Sequence, residues 1–418
     1  MKDRADVIII GGGPAGCAAA LDLHRLGYRV VLCDQAKFPR DKVCGEFISP
    51  AADPILNRLG VLDAIEALSP KRLKGVAISS YEGEELVVDY PQLPGMTARP
   101  TSLSVSRYEF DSILVEQVRR VGVKIREQHK VTEFLFEGDC VSGVRGWDDE
   151  KTSFTIQAPL VIDAGGRNAV SLRKFDLKEE ARGNVKIALA AHWSGAQIPD
   201  DYCYMHVSRP GYTGISKVSE DLSNVVLVVD RQSMHGERPE KFYRDAVMKN
   251  RLRRQILQSA ECTEPVRAVE SLAFSVKPVP CGGLLLVGDA MGFIDPFTGE
   301  GIYLSLRSSE IAAEVVHQAF QDSCWSRDAL KVYEARRKQE FERKFLLSRI
   351  LQKLIYRRLL CNQVVKILKG NRELAETLVG VIGDLLPAEK VVSFKFLSQL
   401  VSNWQYFTTL PEGSPNRL

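Results

Sequence analysis

The 418-residue sequence has little that would make it a membrane-spanning, disulfide-bonded or nucleic-acid-binding protein. It lacks an apolar run of the roughly 18 residues needed to cross a bilayer. Its nine cysteines are scattered, without a CxxC pair and without a cysteine and histidine cluster at zinc spacing. This odd, dispersed set favours a reducing cytoplasm over a disulfide framework. The net charge of +3 is too small to indicate nucleic acid as a partner.

The first forty residues predict a strand, a glycine-rich turn, a helix and a second strand. The apolar run Val7 to Ile10 is typical of a buried parallel strand, and it begins so early that we expect no signal peptide. An alanine-rich helix is expected from about Pro14 to Leu26, and a second strand from Tyr28 to Leu32. Asp34 follows that strand, near the offset of roughly 20 residues at which an acid contacts a ribose. This is the dinucleotide-binding pattern in its required context.

Each part of this unit has a physical task. The first glycine of the Gly-x-Gly-x-x-Gly pattern allows a tight turn, the second lets the backbone approach a pyrophosphate, and the third lets helix and strand pack closely. The helix N-terminus offers unpaired N–H groups and a positive dipole end to the phosphates. The residues assigned to the nucleotide on this ground are Gly11, Gly13, Ala15, Gly16, Asp34 and Gln35.

A second motif, late in the chain, favours FAD over NAD. Asp289 ends a strand and can accept hydrogen bonds from the hydroxyls of a ribityl chain. The loop from Asp295 through Pro296 and Gly299 to Gly301 leads into a helix at Ile302. The N-terminus of such a helix stabilises the negative charge at N1 and the C2 carbonyl of a reduced flavin, and NAD has neither group.

Three motifs resemble, in order, those of the FAD-dependent family that groups p-hydroxybenzoate-hydroxylase-like monooxygenases with geranylgeranyl reductases. They are the first glycine pattern, Asp163-Ala-Gly165-Gly, and Gly288-Asp289, and the similarity covers about residues 5 to 310. The resemblance implies that Gly165 and Arg107 also contact FAD, with Arg107 over the pyrophosphate. A cation in the first turn of a helix opposes the dipole unless an anion is bound there. The alternative for Arg107 is a solvated surface arginine.

Within the family, the segment Lys42-Val-Cys-Gly-Glu46 most resembles the geranylgeranyl-reductase branch. The resemblance implies that Cys44 lies near the isoalloxazine, where it positions substrate or relays a proton, and that Glu46 serves as an acid. The alternative for Cys44 is a small buried hydrophobe. The Tyr-x-Trp-x-Phe-Pro segment usual in that branch is replaced by Gly211 to Lys217, and the Trp-x-Trp-x-Ile-Pro signature of flavin-dependent halogenases is also absent.

The expected fold class is α/β, with a Rossmann-like FAD-binding domain of the glutathione-reductase type interleaved with an α+β substrate domain and followed by a helical C-terminal region. The predicted boundaries are residues 1–71, 106–183 and 277–323 for the FAD-binding domain, 72–105 and 184–276 for the β-rich domain, and 324–418 for the helices.

Two further features concern partners. Tyr204, His206 and Tyr212 are predicted to line a cavity for a hydrophobic small molecule, with plain core as the alternative. The C-terminal helices interleave basic and apolar residues, which is typical of a helix on an anionic membrane or of the solvated face of a packed helix. The basic residues are Arg336, Arg337, Lys338, Arg343, Lys344, Arg349, Lys353, Arg357 and Arg358.

The leading functional hypothesis is an FAD-dependent reductase of double bonds in an isoprenoid or lipid-like substrate. The alternatives are a flavin monooxygenase that hydroxylates an aromatic or polyketide substrate, and a non-catalytic flavin electron carrier. No second glycine pattern provides a domain for a nicotinamide. The resemblance implies that transiently docked NAD(P)H or a protein partner supplies the electrons. The expected location is the cytoplasm, with peripheral contact to the inner membrane as the alternative.

Overall fold

The structure is a computed structural model that describes residues 3–180, 185–199, 201–270, 272–293, 296–393, 395–396 and 398–400. In chain order the strands are Asp3–Arg4 (β1), Val7–Ile10 (β2), Val30–Cys33 (β3), Phe47–Ile48 (β4), Lys71–Leu73 (β5), Gly75–Ser79 (β6), Glu85–Asp89 (β7), Ser102–Ser104 (β8), Lys124–Arg126 (β9), Lys130–Glu137 (β10), Cys140–Trp147 (β11), Ser153–Gln157 (β12), Leu160–Asp163 (β13), Lys178–Glu180 (β14), Lys186–Ser194 (β15), Tyr202–Ser208 (β16), Gly211–Lys217 (β17), Leu222–Asp230 (β18), Glu261–Cys262 (β19), Arg267–Glu270 (β20), Phe274–Val276 (β21) and Leu284–Leu286 (β22).

The helices are Pro14–Arg25 (α1), Asp53–Arg58 (α2), Leu62–Glu66 (α3), Arg107–Arg120 (α4), Val170–Lys174 (α5), Pro239–Lys249 (α6), Arg251–Leu257 (α7), Gly301–Gln321 (α8), Arg327–Ile355 (α9), Arg358–Gly370 (α10), Arg372–Ile382 (α11) and Glu389–Val392 (α12). Short 3₁₀ turns span Pro50–Ala52, Gly166–Asn168, Arg231–Met234, Gly288–Met291 and Pro296–Thr298.

A five-stranded parallel sheet has the order β22-β13-β2-β3-β9. All four residues of β2 are buried, because helices or other layers cover both faces of the sheet. Helix α1 begins after Gly13 with a proline in its first turn, and it packs against α8. The predicted α/β class and the Rossmann-like unit at the start of the chain are therefore confirmed.

A larger sheet of eight strands has the order β19-β15-β18-β17-β16-β6-β7, with β20 also paired to β15. One face of this sheet packs against α6 and α7, and the other shares a hydrophobic cluster with α9, α10 and α11. Smaller sheets join β1-β12-β11-β10, β4-β8-β5 and β14-β21.

The region after Gly301 is helical as predicted, with α8 to α12 reaching Val392. The predicted end of this region, near Trp404, lies outside the described residues. The helices fold back over the eight-stranded sheet, which places Leu351 and Leu378 in the same cluster as Met205. No helix within the described ranges combines the length and the apolar character that a bilayer crossing requires.

Candidate active site

An elongated cleft runs between the parallel sheet and the eight-stranded sheet. It encloses about 1410 Å³ including the part open to solvent. The turn after β2 lines one end, and side chains of the eight-stranded sheet line the other. The cleft therefore connects the glycine-rich turn of the parallel sheet with one face of the eight-stranded sheet.

The glycines of the first turn divide between packing and access. Gly11 has a φ of +100°, and a Cβ built on Gly16 would lie 1.8 Å from the carbonyl oxygen of Gly11, so these two residues set the close approach of strand and helix. A Cβ on Gly13 would come no closer than 3.7 Å to another group, and Gly13 and Ala15 line the cleft. The backbone at Gly13 is thus open to a phosphate at the N-terminus of α1.

Asp34 links the end of β3 to this turn. Its buried carboxylate accepts hydrogen bonds from the N–H of Gly12 at 2.6 Å and the N–H of Ala36 at 2.7 Å, and Arg40 lies 3.8 Å away. The neighbouring Gln35 is exposed. Asp34 therefore fixes the turn and lies at the predicted nucleotide end of the cleft.

Arg107 is buried at the first position of α4 and lines the cleft. Its guanidinium donates two hydrogen bonds of 2.7 Å to the carboxylate of Asp111. Although burial disfavours the charged form, Asp111 and the adjacent Cys44 sulfur raise the pKa of Arg107 overall. Arg107 is therefore a buried cation, fixed by Asp111 and facing the cleft, and it is not the solvated surface arginine of the alternative.

Two further cations, Lys42 and Arg167, which the sequence analysis did not single out as FAD ligands, also line the cleft. Burial and the charge of Arg107 lower the pKa of Lys42, and burial lowers the pKa of Arg167. Arg167 has its Nε 3.9 Å from an Oδ of Asp289. Arg107 and Lys42 suit the negative charges of a pyrophosphate, whereas Arg167 also lies over the ring of Phe293, with 5.2 Å between its guanidinium carbon and the ring centroid. Lys42 stood inside a quoted motif, whereas no spacing pointed to Arg167.

The residues predicted to hold the flavin end also meet at the cleft. Asp289, Gly299, Gly301 and Ile302 all line it. Gly165 lies between two lining residues, and its N–H donates a 3.0 Å hydrogen bond to Asp163. The backbone of Pro296 lies in the 3₁₀ turn before α8, and Asp295 lies outside the described residues. The open space beside Asp289 and the N-terminus of α8 therefore fits a ribityl chain and a flavin ring.

Cys44 and Glu46 lie in one loop but face different surroundings. Cys44 lines the cleft, and its carbonyl oxygen accepts a 2.8 Å hydrogen bond from Asn224. Glu46 is buried with a φ of 55°, and its carboxylate accepts from the N–H of Arg107 at 2.8 Å and lies 2.7 Å from Nε2 of His192. Both oxygens of Glu46 thus have partners away from the cleft. This position differs from the one expected of an acid that acts beside the flavin.

His192, on β15, is the partner of Glu46, and the sequence analysis did not single it out. Its Nδ1 lies 2.9 Å from Glu264, so the ring stands between two carboxylates. Burial disfavours the imidazolium, but the hydrogen bond and charge of Glu46 and the charge of Glu264 raise the pKa of His192 overall. Glu46 and His192 are 146 residues apart in sequence, and no local pattern connects them.

The predicted substrate residues do not share one face. Tyr212 lines the cleft, with its ring 5.1 Å from that of Phe297. Tyr204 and His206 belong to the opposite face of β16, which corrects their assignment to the cavity: Tyr204 packs in the cluster under α6 and α7, and Nδ1 of His206 lies 2.9 Å from Ser79. Burial lowers the pKa of His206 to about 3.

Side chains alternate along a strand, so Cys203 and Met205, on either side of Tyr204, reach the cleft instead. The half of the cleft against the eight-stranded sheet is mainly apolar. It is lined by Phe47, Val76, Ala188, Cys203, Met205, Tyr212, Ile215, Val226, Val228, Val269, Leu272, Phe293, Phe297 and Ile382. We call this part the apolar half of the cleft.

Comparisons with known proteins agree with this geometry. The FAD binding domain family model matches residues 4–343. The 1H-pyrrole-2-carbonyl-(peptidyl-carrier protein) chlorinase of Pseudomonas fluorescens is 27% identical over 360 residues, 79% of either chain. The digeranylgeranylglycerophospholipid reductase of Methanosarcina acetivorans is 27% identical over 353 residues, 80% of this chain and 81% of that protein. The crystal structure of a flavoprotein/dehydrogenase from Cytophaga hutchinsonii shares the fold, with a TM-score of 0.85, 21% identity, and coverage of 97% of this chain and 100% of that one.

Proposed function

The chain belongs to the FAD binding domain family, and from this premise we propose that it is an FAD-dependent enzyme that reduces double bonds of a hydrophobic, isoprenoid or lipid-like substrate. The observation that carries the proposal is the apolar half of the cleft, which adjoins the predicted flavin end at Phe297 and Phe293. Burying an apolar chain there contributes about 25 cal/mol per Å² of surface removed from water.

The apolar half holds few groups that could ionise, and the guanidinium of Arg167 borders it, 5.2 Å from the ring centroid of Phe293. Burial raises the pKa of Cys203 to about 12. Tyr212 presents an aromatic ring packed against Phe297. A substrate in this half is therefore selected by shape and apolar contact, which suits a hydrocarbon better than a charged or strongly polar ring.

The chain's own residues have distinct tasks in this proposal. Lys42 and Arg107 would hold the pyrophosphate, and Asp289 would accept from the ribityl hydroxyls. Bound FAD supplies the capacity to pass hydride to the substrate. Cys44, at the boundary between the two halves of the cleft, positions the substrate or relays the proton that completes the reduction. The apolar walls exclude water from the reacting groups.

A second candidate is an oxygen-dependent reaction, in which the enzyme halogenates or hydroxylates its substrate. The similarity to a chlorinase, equal in identity to the similarity to the lipid reductase, favours this candidate. Both candidates need electrons from NAD(P)H or a protein donor, and the two differ in whether reduced enzyme requires oxygen to act on the substrate.

The test is to reduce FAD-loaded protein photochemically without oxygen and to mix it with a polyprenyl lipid. We expect the flavin absorbance to return at a rate that rises with lipid concentration, and each reduced double bond to add two hydrogens to the product mass. In Met205→Trp, the larger side chain occupies the apolar half, so we expect slower reoxidation by the lipid with unchanged FAD content. Flavin that reoxidises only in air, with oxygen or halogen in the product, would establish the second candidate instead.

A further inference from the structure

The corner between α9 and α10 carries an excess of positive charge. Residues 345–372 contain seven lysines and arginines and no aspartate or glutamate. Three of the seven have carboxylate partners: Lys366 with Glu82, Lys369 with Glu84, and Arg372 with Glu376.

The other four cations are Arg349, Lys353, Arg357 and Arg358, and we call them the corner cations. All four are exposed. Within the part of the chain that the structure describes, no carboxylate lies within ion-pair distance of any of them, and Arg349 donates only to the carbonyl oxygen of Phe345. The attraction that these charges could exert is therefore available to a partner.

Apolar side chains close to these cations in the sequence are also exposed. Leu359, next to Arg358, is 79% exposed, and Leu346 and Ile350 on α9 are 40% and 39% exposed. Leu346, Ile350, Lys353 and Arg357 are spaced by four, three and four residues, which places them along one side of the helix and its end. Exposed apolar side chains beside cations that lack carboxylate partners are typical of a surface that contacts a partner or a membrane.

The opposite side of the same helices is buried. Leu351 and Ile355 pack in the cluster that contains Met205 and Tyr212 of the apolar half. Ile382 of α11, which packs against α10, lines the cleft itself. The helices thus stand between the apolar half of the cleft and the exposed corner.

We propose that this corner docks the protein on an anionic lipid bilayer. Leucine and isoleucine side chains enter the boundary between headgroups and acyl chains, while long arginine and lysine side chains reach the phosphates from the same face. The charge complementarity is direct, since the corner cations have no carboxylate of the described residues to neutralise them. The proposal is independent of the reaction, because it is argued from the exposed cations and apolar side chains of the corner and is tested without a substrate.

The test uses the FAD-loaded full-length protein and sedimentation with vesicles. We expect binding to phosphatidylcholine mixed with phosphatidylglycerol, weakening as salt is added, and little binding to phosphatidylcholine alone. The double variant Arg357→Gln with Arg358→Gln should lower the partition coefficient about 25-fold, because each basic residue near an anionic surface contributes a factor of about five. Leu359→Ser should weaken binding while keeping its salt dependence.

The matched control is Arg238→Gln with Arg251→Gln. These arginines are also exposed at helix N-termini, Arg238 before α6 and Arg251 at the start of α7, and their removal changes the net charge equally. The control should bind vesicles as the unaltered protein does. Equal loss in the control, or equal binding to neutral vesicles, would overturn the proposal. The proposal would also be overturned if the corner variant bound vesicles unchanged but was reduced more slowly by an acidic protein electron donor. That result would assign the corner to a protein partner.

Discussion

At the scale of single residues, two glycines of the first turn have tasks that substitution can separate. A methyl group on Gly13 meets nothing closer than 3.7 Å in the protein but enters the space at the N-terminus of α1, whereas a methyl group on Gly16 collides with the Gly11 carbonyl. We expect Gly13→Ala to lose most of its FAD while its unfolding free energy changes by less than about 1 kcal/mol. Gly16→Ala should be destabilised by about 1–3 kcal/mol as its backbone shifts.

Urea unfolding of the FAD-free proteins measures the unfolding free energy, and the absorbance of FAD retained after gel filtration measures the FAD content. A Gly13→Ala protein that keeps its full FAD content would show that no phosphate approaches this backbone. The two variants therefore separate an effect on cofactor binding from an effect on folding, because only Gly16 is needed for packing.

At the scale of structural elements, the loop between β3 and β4 is held to the eight-stranded sheet by Glu46 and His192. Imidazolium is favoured in this setting, since Glu46 and Glu264 face the ring and outweigh burial and the like charge of Arg267. A histidine whose pKa is raised on folding stabilises the fold below its unfolded pKa, and this stabilisation is lost as pH rises through the folded pKa. The window lies above the ordinary value of 6.5.

We therefore expect the protein to lose stability as pH rises above 6.5, and His192→Ala to lack this loss. At lower pH the variant should be less stable by about 1–3 kcal/mol, because a buried oxygen of Glu46 loses its partner. Urea unfolding at several pH values measures both effects. His24→Ala, a half-buried histidine on α1, is the control and should keep the pH dependence. Parallel pH profiles for the His192 variant and the unaltered protein would contradict this account.

The same elements show what the sequence could predict. The strand, turn and helix of residues 7–25 follow from local pattern, since apolar runs, glycines and a proline specify them without distant contacts. Local pattern does not predict which face of β16 borders the cleft, because alternation shows only that Tyr204 and Met205 point in opposite directions. Helices more than a hundred residues later decide which face borders the cleft. The contact between Glu46 and His192 is missed for the same reason, and the domain boundaries stay a prediction.

At the scale of the whole molecule, the cleft is assembled from segments far apart in the chain. Gly13, Arg107, Gly166 and Asp289 all line it, and they come from four different elements. A ligand that contacts all of them is bound by the folded state and by no local fragment of the unfolded chain. Ligand binding must then stabilise the fold as a whole.

A ligand that binds only the folded state should raise the unfolding free energy by about 2.7 kcal/mol when its free concentration is a hundred times the dissociation constant. We expect FAD to raise the thermal midpoint more than ADP does at the same concentration, because ADP reaches only the turn after β2 and the cations beside it. Asp289→Ala should remove most of the difference between the two ligands and leave the effect of ADP unchanged, since Asp289 lies at the predicted flavin end. Differential scanning fluorimetry measures all four combinations. If FAD and ADP shifted the midpoint equally in the unaltered protein, Asp289 and the N-terminus of α8 would not contact a flavin, and the assignment of the second motif would fail.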